Sequence, residues 1–178
     1  MKILVAYGTT GGSTGEIAEW IGAELRTAGF AVDVRSATDV TDVGGYDVVI
    51  LGAAVYMSGW HKDTRRFAHR FADELVRRPV WLFSSGPLDA SAEQTDLAPV
   101  PQAESAIHAL RARGHITFGG RLSDEAHGWL GLISRRMAHD GHGGDFRNPE
   151  RVRAWAHSVA AELASLPAVP PAATPPVG

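Results

Sequence analysis

Residues 3–16 read Ile3-Leu4-Val5-Ala6-Tyr7-Gly8-Thr9-Thr10-Gly11-Gly12-Ser13-Thr14-Gly15-Glu16. Ile3–Tyr7 is short and almost wholly apolar, the pattern of a strand covered on both faces. Behind the small-residue loop, apolar residues return at Ile17, Ile21 and Leu25. That is the spacing of one helical face, and Gly29 supplies its stop. A strand that passes through a glycine- and hydroxyl-rich loop directly into a helix sets an alternating α/β pattern.

The rest of the chain repeats the alternation. Val32 and Val34 alternate with Asp33 and Arg35 in a second strand, and 38–45 is polar and ends in glycine. Asp47–Val55 is the most strand-like run and reads as the centre of the sheet. Phe67, Phe71 and Leu75 recur four residues apart and predict a helix over 62–76. Val80–Phe83 is a fourth strand. The stretch 86–102, with three prolines, reads as a long loop. A helix is expected over 105–113, closed by Gly114, then a fifth strand over 115–118. A last helix over 150–163 has Pro149 in its favoured first turn. Five strands separated by helices predict a five-stranded parallel sheet with helices on both faces. The expected order is 2-1-3-4-5, with the ligand crevice beside strand 1 at the strand carboxyl ends.

Three loops fall on that rim. In the first, backbone N–H groups, hydroxyls and a helix N-terminus make a receptor for phosphate. No Lys or Arg lies in 8–15, which suits a monophosphate held by neutral donors. A Walker A loop would need Lys after its glycine, and a dinucleotide fingerprint would need glycines two apart. An aspartyl phosphoacceptor domain would need acids where Tyr7, Gly8, Ala53 and Ala54 stand. Ser13 by itself would be explained as a simple helix cap. Eight consecutive small or hydroxyl residues, Gly8–Gly15, exceed that need. The second loop, Ala54-Val55-Tyr56-Met57-Ser58-Gly59-Trp60-His61, joins small residues to two aromatics able to stack on a flat ring. Covering the sheet edge is the plain structural role for Tyr56 and Trp60. The third loop is Ser84-Ser85-Gly86-Pro87-Leu88. Together the three describe a mononucleotide site with a ring pocket.

Composition narrows the chemistry. The 178 residues contain no cysteine, so disulfides, thiolate metal sites and cysteine nucleophiles are excluded. Redox chemistry must come from a bound cofactor. Lys+Arg 17 against Asp+Glu 20 gives a net charge of −3, without the basic excess of a nucleic-acid surface. No run approaches a membrane span, so the expectation is a cytoplasmic protein, at most peripheral to the inner face of the membrane. Residues 167–178 hold five prolines and no charge and read as a disordered tail after a domain of 1–166.

The run YGTTGGSTGEIAEWIGAEL resembles the phosphate loop and first helix of flavodoxin-like FMN proteins. Their pattern of a hydroxyl residue, any residue, Thr, Gly, any residue and Thr falls on Thr9, Thr10, Gly11, Gly12, Ser13 and Thr14. Gly11 stands where the middle Thr is usual. YDVVILGAAVYMSGWHK, FGGRL, the Gly-Gly-Asp at 143–145 and NPERVRAWAHSVAAEL resemble the menaquinone-dependent protoporphyrinogen IX dehydrogenase branch. The resemblance implies a flavodoxin-like three-layer fold and an FMN oxidoreductase of porphyrin and heme biosynthesis. Electrons would pass from a porphyrinogen through FMN to a quinone. It also implies FMN contacts from residues 9–14, from Ala54, Val55, Tyr56 and Trp60, and from Ser84, Ser85, Gly86 and Pro87. No catalytic residue is assigned. After strand 5 this chain has Ser123-Asp124-Glu125-Ala126-His127, where that branch is aromatic and basic. The rival redox role is a soluble electron carrier acting between proteins, for which net −3 is a weak charge. A non-redox alternative is a regulatory domain that binds a phosphate ligand.

The remaining features read as structural. Ala126, Trp129, Leu130, Ile133 and Met137 share a helical face suited to packing, or to a lid or a membrane-surface contact. His139, Asp140, His142 and Asp145 match no metal-ligand spacing. His61 reads as an exposed histidine beside the ring pocket, able in principle to contact the flavin. Arg65, Arg66 and Arg70 read as a solvated helix face that an anionic partner such as a porphyrin would suit.

Overall fold

Buried strands and one-sided helices assemble into three layers. The structure, a computed structural model, describes residues 1–56, 59–86, 97–121 and 145–166. Strand β1 (Lys2–Gly8) leads through the loop into helix α1 (Ser13–Thr27), followed by β2 (Ala31–Ser36) and β3 (Val48–Tyr56). After them come β4 (Gly59–Trp60), α2 (Lys62–Arg70), α3 (Ala72–Leu75) and β5 (Val80–Ser85). The order closes with α4 (Pro101–Leu110), β6 (Gly114–Phe118) and α5 (Pro149–Ser165).

The main path of the sheet is β2-β1-β3-β5-β6, all parallel. It is the expected path of five strands, with one addition. Where a loop was expected after β3, the chain doubles back and β4 pairs antiparallel with it, Val55 opposite Trp60 and Tyr56 opposite Gly59. The sheet therefore has six strands, and its order is 2-1-3-5-6 by chain numbering. A two-residue strand has no periodicity to read.

Each face of the sheet carries its own core. Ile3, Val5, Val48, Ile50, Trp81 and Phe83 pack against α1 and α5. Leu4, Ala6, Val49, Leu51, Val80 and Leu82 pack against α2, α3 and α4. Alternation along doubly covered strands produces this division. β3 is central, and Val48–Ala54 are all buried. Gly52 leaves room for the Phe83 ring, which a Cβ there would penetrate.

Two helices depart from their expected limits. The helix expected over 62–76 breaks at Phe71, where φ −108° and ψ 20° leave helical geometry. Phe67 and Phe71 still meet edge to face at 5.0 Å, so the periodicity survives the break. α4 starts at Pro101 rather than 105, because proline is pre-set for the first helical turn. It ends at Leu110 because Arg111 takes a left-handed conformation, φ 52°, and the Ala112 N–H turns back to the Ile107 carbonyl at 2.9 Å. Gly114 is thereby free to open β6. The final helix matches its expectation, with Asn148 capping the N–H groups of Glu150 and Arg151 at 3.0 and 3.1 Å. The amphipathic run 126–137 and the tail 167–178 lie outside the described residues.

Candidate functional site

β1 pairs with β2 on one side and β3 on the other, so the chain direction of connection reverses at its carboxyl end and leaves a crevice there. The loop 9–12 fills its lip. Gly12 adopts φ 80°, a left-handed conformation that favours glycine. Its carbonyl accepts the Gly15 and Glu16 N–H groups at 2.9 and 3.2 Å, which starts α1. Thr9 Oγ1 accepts the Gly12 N–H at 3.2 Å. The N–H groups of Thr10 and Gly11 both aim at the Tyr56 hydroxyl, at 3.4 and 3.3 Å, so they converge on one acceptor. Thr14 is fully buried and its Oγ1 has no hydrogen-bond partner. Buried polar atoms are rarely left so. A buried unpartnered hydroxyl beside converging N–H groups at a helix N-terminus fits a phosphate monoester.

A charge cluster missed in the sequence is anchored on the first turn of α1. Glu16, in the first turn of α1, pairs with Arg121 and with Arg147, each at 2.7 Å. Arg147 also holds Asp145 at 2.6 Å and lies over the Trp20 ring at 5.1 Å. The hydrogen bonds from Arg147 hold the Asp145 carboxyl below the usual carboxylate range, and those from Asp145 and Glu16 raise the guanidinium. The arginines offset an acid that would otherwise oppose a phosphate beside it. Asp145 is thus an ion-pair residue. His139, Asp140 and His142 lie outside the described residues. Among the described residues no cluster of three His, Asp or Glu side chains is placed to hold a metal.

The ring side is assembled from separate strands. Ala54 accepts the His61 N–H at 2.9 Å through its carbonyl, and Gly86 donates to the Phe118 carbonyl at 3.2 Å. A Cβ at Gly86 would stand 2.6 Å from Val55 Cβ, and one at Gly120 would stand 3.3 Å from the Gly86 carbonyl oxygen. Val55, Gly86 and Gly120 therefore meet at close range, with Ala54 next to Val55 in β3. Tyr56 is half-buried and turned toward the phosphate loop.

Trp60 departs from the role its sequence position suggested. It is 3% exposed and lies in the core, so its ring faces are spent on packing. Its Nε1 donates to Ser84 Oγ at 2.8 Å. The same Ser84 hydroxyl shares a hydrogen bond of 2.8 Å with His115 Nε2. Burial pushes His115 down to about 4. Ser85 is buried beside Ser84, while Pro87 lies outside the described residues.

His61, expected exposed, is 8% exposed. It caps α2, its Nδ1 accepting the Asp63 N–H at 3.4 Å, so Nε2 carries the proton and donates to Thr10 Oγ1 at 3.0 Å. Burial lowers its pKa, with Asp63 opposing. The ring thus braces the phosphate loop. The adjacent Gly8 is needed because a Cβ there would collide with Thr64 Oγ1.

Fold and site together define an α/β mononucleotide-binding protein. The family model of the flavodoxin domain matches residues 4–142, and the chain belongs to that family. FMN is its cofactor. Protoporphyrinogen IX dehydrogenase [quinone] of Escherichia coli strain K12 is 29% identical over 86 residues, 47% of this chain and 48% of the relative. Flavodoxin of Nitratidesulfovibrio vulgaris is 35% identical over 58 residues, 31% of this chain and 39% of the relative. The matches thus span about half or less of these relatives' length. Among solved structures, flavodoxin 1 of Bacillus cereus superposes with TM-score 0.60 at 16% identity, covering 94% of this chain and all of that one. A Pseudomonas aeruginosa flavodoxin mutant gives 0.59 at 12% identity, covering 93% and 100%. These neighbours show the same fold. Among the described residues no helix is long and apolar enough to cross a membrane.

Proposed function

We propose that this flavin redox protein is an oxidoreductase of the protoporphyrinogen IX dehydrogenase type, taking electrons from a porphyrinogen and passing them to a quinone. The observation that carries the reading is the 29% identity over 86 residues with a quinone-linked protoporphyrinogen dehydrogenase, joined to a phosphate seat fitted to FMN. When bound, FMN supplies the two-electron chemistry that a chain without cysteine lacks.

The chain's own residues bind and orient. Thr10, Gly11, Ser13 and Thr14 would hold the phosphate by N–H and hydroxyl donation, with Thr9 and Gly12 shaping the turn. His61 holds Thr10 in place at 3.0 Å. Ala54, Val55 and Gly86 would line the ring crevice, and Tyr56 would flank it. Trp60, Ser84 and Ser85 would support that crevice from beneath, and Pro87, outside the described residues, stays a candidate from the sequence. A second reading, an electron carrier, is favoured by the 35% match to a flavodoxin over 58 residues.

Purification followed by FMN titration and an assay of reduced-porphyrin oxidation with a menaquinone analogue tests the proposal. A yellow protein that turns over the porphyrinogen supports it. FMN binding without turnover, together with electron delivery to a protein acceptor, replaces it with the carrier.

A further inference from the structure

The exposed face of α2 carries charge for which the FMN site has no use. Lys62, Arg65, Arg66, His69 and Arg70 are all exposed, while Thr64, Phe67 and Ala68 point into the protein. Spacings of three and four residues line up the exposed set in one stripe about 13 Å long. Asp63 is the acid among them, paired with Arg66 at 3.5 Å. Arg70 lies over the Phe71 ring and reaches the Thr41 carbonyl. Among the described residues Lys62 and Arg65 make no ion pair. A chain of net charge −3 thus has a locally positive face. That face starts one residue after His61, which touches the phosphate loop.

We propose that this stripe docks an acidic redox protein, which exchanges electrons with the FMN. The inference rests on the cofactor and goes beyond the porphyrinogen reading. The side chains diverge from a convex helix and do not converge on a cavity, so a small anion would gain few simultaneous contacts. An anionic bilayer is a plane that would confront a chain of net charge −3 over a wider surface than the stripe. Met1 is the exposed large hydrophobic side chain among the described residues, which leaves nothing apolar on the stripe to insert into lipid. A protein with a compact acidic patch meets the stripe alone. Electron-transfer encounters are small and transient, burying less than about 1,200 Å². Charge complementarity sets their speed, and salt screens it.

The test uses soluble cytochrome b5 as an acidic haem protein and cytochrome c as a basic one. Binding to the full chain is followed by titration calorimetry at rising ionic strength. Electron transfer from the dithionite-reduced holoprotein is followed by stopped flow. One reduced FMN converts two ferric haems to ferrous, returns to the oxidised form and releases its proton to solvent. Binding and rate with cytochrome b5 should fall steeply with salt. Both should drop about ten-fold in Lys62→Glu/Arg65→Glu at low salt, with a smaller drop in Lys62→Gln/Arg65→Gln. FMN affinity should be unchanged in both variants. A salt-independent rate, equal behaviour of variants and wild type, or stronger binding of cytochrome c through the same residues would overturn the proposal. So would charge-dependent binding to phosphatidylglycerol vesicles with none to cytochrome b5. Failure to take up FMN would sink the cofactor assignment, while the calorimetry would still judge the stripe.

Discussion

The two halves of the candidate site are built differently. The phosphate half comes from one stretch, 9–14, a turn and the start of a helix, whose Thr10 and Gly11 N–H groups converge on the Tyr56 hydroxyl. The ring half comes from the ends of β3, β5 and β6, and its polar atoms are engaged with one another. Trp60, Ser84 and His115 form a hydrogen-bonded chain beneath the crevice. Thr14 instead has a buried hydroxyl with no partner. One half keeps a buried hydroxyl without a partner, and the other has its polar groups bonded to one another.

That contrast can be broken at Trp60. Trp60→Ala should cost about 3–5 kcal/mol of stability by opening the core, read as a lower urea midpoint. If stability holds and only FMN affinity falls, Trp60 is a ring-stacking residue after all and the two halves are alike. The phosphate half should respond in the opposite sense. Gly12→Glu places a side chain at φ 80° and a negative charge at the phosphate seat, and should weaken FMN binding about 100-fold in a fluorescence titration. Thr14→Val removes the unpartnered hydroxyl at constant shape. It should weaken FMN about ten-fold while leaving the FMN-free protein as stable or more so, since a buried unsatisfied group costs about 1–3 kcal/mol. A loss of stability equal to the loss of affinity would show that Thr14 serves the fold.

The buried polar chain also gives stability a pH dependence. His115 has its folded pKa pushed to about 4 from the ordinary 6.5, and His61 is lowered too. The unfolded chain therefore binds more protons between those values. This contribution to stability is fully present above about 6.5 and is lost as pH falls toward 4. Urea midpoints across that range should decline with falling pH, and His115→Gln should flatten the slope. An unchanged slope would remove His115 from the buried chain.

The course of β1, α1 and β3 was legible because a doubly covered strand and a one-sided helix write their burial into residue spacing. The turn at Gly12 and the helix start at Ser13 were legible because the loop is contiguous. The pairing of Glu16 with Arg121 and Arg147 was not. Those contacts span 105 and 131 positions, and no local pattern distinguishes the charges from solvated ones. The burial of His61 has no mark in its sequence neighbours. Here β1 ends in glycine, so the imidazole can sit against it. The break at Phe71 escaped because both sides of it keep their apolar residues in phase.

By itself, the sequence determined the alternation of strands and helices, the parallel sheet and a glycine- and hydroxyl-rich turn before α1. These follow from local periodicity and from backbone groups freed by glycine, which need no distant partner. Only the tertiary structure decided which aromatic is core and which faces the loop. It also decided that His61 braces Thr10 and that two arginines offset Glu16. Each of those outcomes is set by which strand ends and turns are brought together. Burial and partner choice are properties of that meeting and of no single segment.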